Sequence, residues 1–183
     1  MKIENYKIEN FFRRGFSFIE LIIAMAIFGI MTAAMLVSLL GGKDAKAVEV
    51  AAREVAAAIR EVQNNALTGK QDSANPSRKI CRWLMYTYSN TPNYTVYYYY
   101  GDCTISFQQV YFNASLKNNV NFLTSDNVSF KLPHGTAESF GSPMSNPVKI
   151  TLKSTNNATI KYTVCVYPSG RVEEISGDPG TCP

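Results

Sequence analysis

Histidine is almost missing from this chain. The single one, His134, stands in the run PHG with no carboxylate or cysteine immediately beside it, so imidazole acid–base chemistry has little to build on. An HExxH run, a glycine-rich phosphate loop and a serine in a nucleophile elbow are also absent. With them goes the placed acid, base, nucleophile or metal that catalysis needs. The sequence predicts a non-enzyme without cofactor or metal. Charge is scarce too, at 17% of 183 residues. The net charge is +4, but Lys2, Lys7, Arg13 and Arg14 all precede Gly15. Without residues 1–15, 14 basic residues face 12 acidic ones. That surplus is weak for a nucleic-acid partner, which usually needs a basic patch. No two cysteines form a CxxC pair and no internal repeat is evident.

What the chain does have is one long apolar run. Residues 16–40, FSFIELIIAMAIFGIMTAAMLVSLL, hold a single charge, Glu20. As a helix the run would extend about 37 Å at about 1.5 Å per residue, enough for a hydrocarbon core of about 30 Å. Its Phe, Ile, Leu and Val residues contribute roughly −4 to −8 kcal/mol of insertion free energy, against about +3 kcal/mol for a central carboxylate. Glu20 lies near the end of the run, where that cost is lower, so the segment inserts. The basic residues before it favour a cytoplasmic N-terminus with the rest of the chain outside. A cleaved secretory signal is a poor fit, because the run is too long and no A-x-A site follows Leu40. A plain signal anchor explains length and orientation but accounts for neither Glu20 nor the Gly15 just before the run.

The stretch GFSFIE, Gly15 to Glu20, preceded by Arg13 and Arg14, resembles the type IV prepilin motif shared by pilins and type II secretion pseudopilins. The resemblance implies that prepilin peptidase cuts between Gly15 and Phe16 and methylates the new N-terminal Phe16. Glu20 then becomes the fifth mature residue. In that family it pairs with the N-terminal amine of a neighbouring subunit and sets the axial register of a filament. The partners so implied are prepilin peptidase, other pilin or pseudopilin subunits and membrane lipid.

Past Gly41-Gly42, the cheapest place to bend a helix, residues 43–70 carry small or apolar side chains at Ala45, Val48, Ala52, Val55, Ile59, Val62 and Ala66. The alternating spacing of three and four predicts an amphipathic helix with one apolar stripe. The stripe is too poor in leucine for a strong coiled coil and suits a helix laid on a sheet. Glu49 and Arg53 are placed for an i,i+4 pair, and Gly69 suits the C-cap. From residue 80 the pattern turns to β: 80–88, 93–103, 104–112, 128–132, 148–154, 158–167 and 171–175 read as strands. Residues 133–147, with three prolines and two glycines, read as a long surface loop.

The four cysteines, Cys81, Cys103, Cys165 and Cys182, lie beyond the apolar run, and their even number and wide spacing favour two disulfides over a metal site. With Pro92 at the turn of the first hairpin, positions summing to about 184 would face each other. That favours Cys81–Cys103 and leaves Cys165–Cys182, although four cysteines allow three pairings. In the run Tyr97–Tyr100 two rings should face inward and two outward. With Arg78, Lys79 and Arg82 nearby, the outward pair could serve a single-stranded nucleic acid or a partner subunit.

One helix followed by an all-β remainder fits an α+β, pilin-like fold, with a long N-terminal helix packed on an antiparallel sheet domain. The expected organisation is a leader at 1–15, a transmembrane helix at 16–40, an amphipathic helix at 41–70 and a β-rich extracytoplasmic domain at 71–183. AREVAAAIREVQNNALTGK and VCVYPSGRVEEI are similar to the pre-sheet helix and late hairpin of GspH/FimT-type minor pseudopilins. Major pseudopilins would imply an acidic Ca²⁺ loop near the C-terminus. Here only Glu173, Glu174 and Asp178 are available, and the adjacent glutamates point to opposite faces of a strand. The resemblance implies a minor structural subunit of a pilus or secretion pseudopilus. A DNA-uptake or adhesin-like tip pilin, or a plain signal-anchored ectodomain, is the alternative.

Overall fold

A computed structural model describes residues 17–101, 107–139 and 141–183, without the side chains of 36–41. The chain divides into two compact units, residues 1–40 and 41–183. Helix α1, Phe18–Leu67, belongs to both. It starts after Ser17 and ends in a double hydrogen bond that closes its last carbonyls: Lys70 N to Asn65 O at 3.0 Å and Gly69 N to Ala66 O at 3.4 Å. Gly69 sits at φ +64°, a conformation open to glycine at little steric cost, so the predicted cap residue terminates the helix.

In the second unit the predicted stripe is the core-facing side of α1. Val48, Ala52, Val55, Ile59, Val62 and Ala66 are 0–1% exposed, whereas Ala45 is exposed. The small residues on this face let the helix backbone approach the sheets closely. Among the described residues ten strands follow: β1 (Ile80–Thr87), β2 (Asn93–Tyr100), β3 (Phe107–Ser115), β4 (Val120–Phe122), β5 (Asn127–Lys131), β6 (Thr136–Ser139), β7 (Ser142–Pro143), β8 (Val148–Ser154), β9 (Lys161–Val166) and β10 (Val172–Ser176). They form two antiparallel sheets, ordered β3-β2-β1-β5-β6-β7 and β10-β9-β8-β4. Alternate residues of both sheets join the helix stripe in one apolar cluster. It includes Trp83, Met85, Val96 and Phe130 from the first sheet and Ile150, Leu152, Val164 and Val166 from the second.

Three local expectations change. The β1–β2 pairs sum to 181, as in Trp83↔Tyr98 and Met85↔Val96, not 184. The turn centres on Asn90, which takes φ +56°, and Pro92 lies just past it; asparagine tolerates this left-handed conformation better than most residues. A bulge between Ile80 and Arg82 then takes Cys81 out of the ladder. The stretch 133–147 is not all loop, because β6 lies against β5 with Phe130 opposite Ala137, and Ala137 is buried. The strand expected at 104–112 is described from Phe107 as β3 and runs on to Ser115, residues 104–106 lying outside the described residues, and the three-residue β4 falls among asparagine-rich turns.

The tail is strapped across the outer face of the second sheet. Cys165 and Cys182 form a disulfide, Thr163 Oγ1 donates to Gly177 O at 2.8 Å, and Asp178 bridges Lys149 and Lys161, each at 3.0 Å. The hydrogen bond from Lys149, reinforced by Lys161, holds the Asp178 carboxyl below its ordinary range. A carboxylate depressed in the folded state adds stability above its unfolded pKa of about 3.9 and loses it as pH falls through the folded value.

Two outcomes follow for unfolding of the full chain in detergent. Ile59→Ala lowers stability by about 2–5 kcal/mol through lost burial and a residual cavity, whereas Ala45→Ser stays within about 0.5 kcal/mol. For the strap, Cys182→Ser opens a loop of 17 residues and removes about 3 kcal/mol. Asp178→Asn destabilises at pH 7 and flattens the acid-side decline below about pH 4; a pH–stability curve superposable on that of the native chain contradicts the clamp.

Candidate functional site

Gly15 and Phe16, the expected cleavage and methylation positions, lie outside the described residues. The site is visible from Ser17 onward. S-F-I-E is a helix-start signature in which the residue before the first helical position and the one three later exchange hydrogen bonds with the backbone. Here Ser17 N donates to Glu20 Oε2 at 3.3 Å, and Glu20 occupies the first turn of α1. The carboxylate therefore lies beside free backbone N–H groups and the positive end of the helix dipole, which favour a negative charge. It is also exposed, so a group arriving from outside the chain can reach it.

After Glu20, among the described residues up to Met35, the apolar side chains are exposed. Phe18–Met35 is an apolar window of mean hydropathy 2.2 with none of it buried; Phe18 is 78% exposed and Ile30 72%. Thr32, a polar residue within the run, donates its hydroxyl to Phe28 O at 2.6 Å. That satisfies it internally, as hydrocarbon surroundings require. The segment is a transmembrane-length helix carrying a single acid at its N-terminal end.

The other residues singled out by sequence fall elsewhere. Cys165 and Cys182 are joined in the tail strap. Cys81 is also disulfide-bonded, while Cys103, its expected partner, lies outside the described residues. His134 is exposed, between Pro133 and Gly135. Glu173 accepts from Tyr167 Oη at 2.8 Å, whereas Glu174 pairs with Arg60 at 3.3 Å. Asp178 holds its two lysines. The three acids thus have separate partners, and among the described residues no group of three or more His, Cys, Asp or Glu is placed to hold a metal ion.

Among the tyrosines, Tyr98 is buried and Tyr100 packs against the core. On the opposite face Tyr97 meets Tyr88 Oη at 3.0 Å and Tyr99 donates to Gln108 at 3.0 Å. Of the nearby cations, Arg78 is paired with Asp72 at 3.2 Å. Arg82 lies 2.7 Å from Glu138, a close approach that lacks hydrogen-bond alignment. Two of the three cations of the basic–aromatic surface are thus occupied by carboxylates.

Sequence reasoning missed the Ser17–Glu20 contact, although the S-x-x-E spacing signals it. Residues 11–36 match the family model of the prokaryotic N-terminal methylation motif. No curated protein and no solved structure matches the chain. Arg13, Arg14, Gly15, Phe16 and Glu20 all fall within the matched residues: the chain carries, near its N-terminus, the prokaryotic N-terminal methylation motif.

Proposed function

We propose that this chain is a structural, minor subunit of a type IV pilus or type II secretion pseudopilus, of the GspH/FimT type. One observation carries the reading: an exposed acid caps the start of a membrane-length apolar helix within the methylation motif. In this reading residues 1–15 are the leader, 16–40 the membrane helix, 41–70 the amphipathic helix and 71–183 the extracytoplasmic domain. Prepilin peptidase severs Gly15 from Phe16 and methylates the new amine. The protein then crosses the cytoplasmic membrane once, N-terminus inside, until it is drawn into a filament.

Assembly follows from the chemistry of that end. The ammonium of one processed subunit and the Glu20 carboxylate of the next are opposite charges in a low-dielectric setting, where a lone charge is costly. Their attraction mostly offsets desolvation, so the pair specifies register more than it adds stability. The apolar side chains of Phe18–Met35 supply the packing surface between siblings.

Two experiments test this. Mass spectrometry of the mature protein from cells holding the peptidase should find N-methylated Phe16; an intact Met1 contradicts the proposal. Glu20→Ala and Glu20→Gln should both insert in the membrane, and both should fall at least about tenfold in filament incorporation, the scale of one lost charge-assisted pair. Glutamine keeps an acceptor for the Ser17 amide but not the charge, so normal incorporation of Glu20→Gln would show that Glu20 serves only as a helix cap.

A further inference from the structure

A cleft of about 580 Å³ opens where residues 70–78 fold back over the start of the first sheet. The loop contributes Lys70, Asp72 and Arg78, and the strands contribute Trp83, Tyr98 and Tyr111. Its carboxylate is already satisfied. Asp72 accepts from Tyr98 Oη at 2.8 Å, Ala74 N at 2.9 Å and Arg78 Nη1 at 3.2 Å. Asp72 and Arg78 thus cancel each other's charge.

Lys70 is left as the surplus cation. Its Nζ donates to the neutral Tyr111 phenol at 2.6 Å and lies 4.7 Å from the centre of that ring. Among the described residues no carboxylate comes within ion-pair distance of it. Beneath Tyr111 lies Trp83, 1% exposed, in an edge-to-face contact with centroids 5.0 Å apart. The Trp83 indole Nε1 is buried without a hydrogen-bond partner. An indole N–H is a donor only, and folded proteins seldom leave a buried donor unpaired. An uncompensated ammonium and an orphaned donor thus share one neighbour, Tyr111; the first calls for an anion and the second for an acceptor, and a carboxylate offers both.

The cleft also lies along an open edge. β3 ends its sheet, and its sequence FQQVYFNAS holds neither a charge nor a proline, two of the devices that blunt an edge strand; its one irregularity is a bulge at Tyr111, between the pairs Tyr97↔Val110 and Val96↔Phe112. The opposite edge, β7, has two residues and one of them is Pro143. Phe107, Val110 and Tyr111 of β3 are 62%, 42% and 39% exposed. A strand added to β3 would place every second side chain on the cleft side, beside Gln109 and Tyr111.

We infer that this cleft receives the carboxylate of an acidic residue on an extended peptide that adds to the β3 edge as a further strand. Lys70 is the counter-charge. A carboxylate that captures Lys70 releases the tether on Tyr111, and the half-exposed ring can then swing off the indole edge and uncover Nε1–H for the second carboxylate oxygen. The backbone of the peptide satisfies the unpaired N–H and C=O groups of β3, as in strand addition generally.

Trp83 is the one tryptophan of the chain, so full-length ¹⁵N-labelled protein in lipid nanodiscs gives a single indole N–H resonance that reports this site. The probes are a blocked Thr-Val-Glu-Val-Thr peptide, its glutamine twin, free glutamate and an oligothymidylate. The glutamate peptide should move the resonance downfield and saturably, with affinity about tenfold above its twin, the scale of a charge-assisted hydrogen bond. Lys70→Gln, an exposed change that spares the core, should remove that preference, so that the glutamate peptide and its twin bind alike. An unmoved resonance at millimolar peptide, or equal affinity for both peptides, overturns the proposal. Free glutamate binding as tightly as the peptide overturns the strand-addition part, and tighter Lys70-dependent binding of the oligothymidylate reassigns the cleft to nucleic acid.

Discussion

Buried apolar surface drives folding, and α1 uses it in two ways. In the unit 41–183, Val48 to Ala66 are sealed against two sheets. In the unit 1–40, Phe18–Met35 has no cover from the chain itself. At about 25 cal/mol per Å² of apolar area, such a helix cannot stand in water. Under the proposed function, lipid satisfies that constraint first and neighbouring helices later. The acid at its start makes sense only in relation to it. In water Glu20 would be one more surface carboxylate; under the proposed function it caps a helix at the rim of hydrocarbon, as a charge that selects its partner.

The second unit then presents surface. Its sheets share one core with the helix, so their outer faces and edges are available for contacts. The second sheet closes part of its outer face with its own tail, through Cys165–Cys182 and the Asp178 clamp. The first sheet closes its outer face with tyrosine pairs and the Arg82–Glu138 contact, yet leaves β3 with no charged guard. One sheet is thus finished locally, while the other keeps an edge and a cationic cleft side by side.

The helix and its exit were legible because their signals are local. A stripe of period 3.6 needs only a face to bury, and Gly69 needs only a left-handed φ. The membrane segment was legible from length and composition. Register was less so: the first hairpin turns at Asn90 instead of Pro92, which shifts the pairing sum by three, and a separate bulge takes Cys81 out of the ladder. β4 and β7 are too short to leave a pattern, and the partner of β4, β8, is remote in sequence. The partition into two sheets is a tertiary choice that alternation cannot express. The cleft was not legible at all, because its residues come from one loop and three strands. Of the N-terminal apolar segment, charge and spacing disclosed Glu20, while its hydrogen bond to Ser17 required coordinates.

The central claim is that the uncovered face of Phe18–Met35 becomes the contact between processed subunits. A photoreactive residue in place of Ile23, which is 53% exposed, tests it directly in membranes of cells holding the assembly machinery. The account predicts an adduct with a pilin-type subunit when prepilin peptidase is present, and its loss when the peptidase is deleted. An adduct that forms equally in both strains, or lipid adducts alone in both, would contradict it.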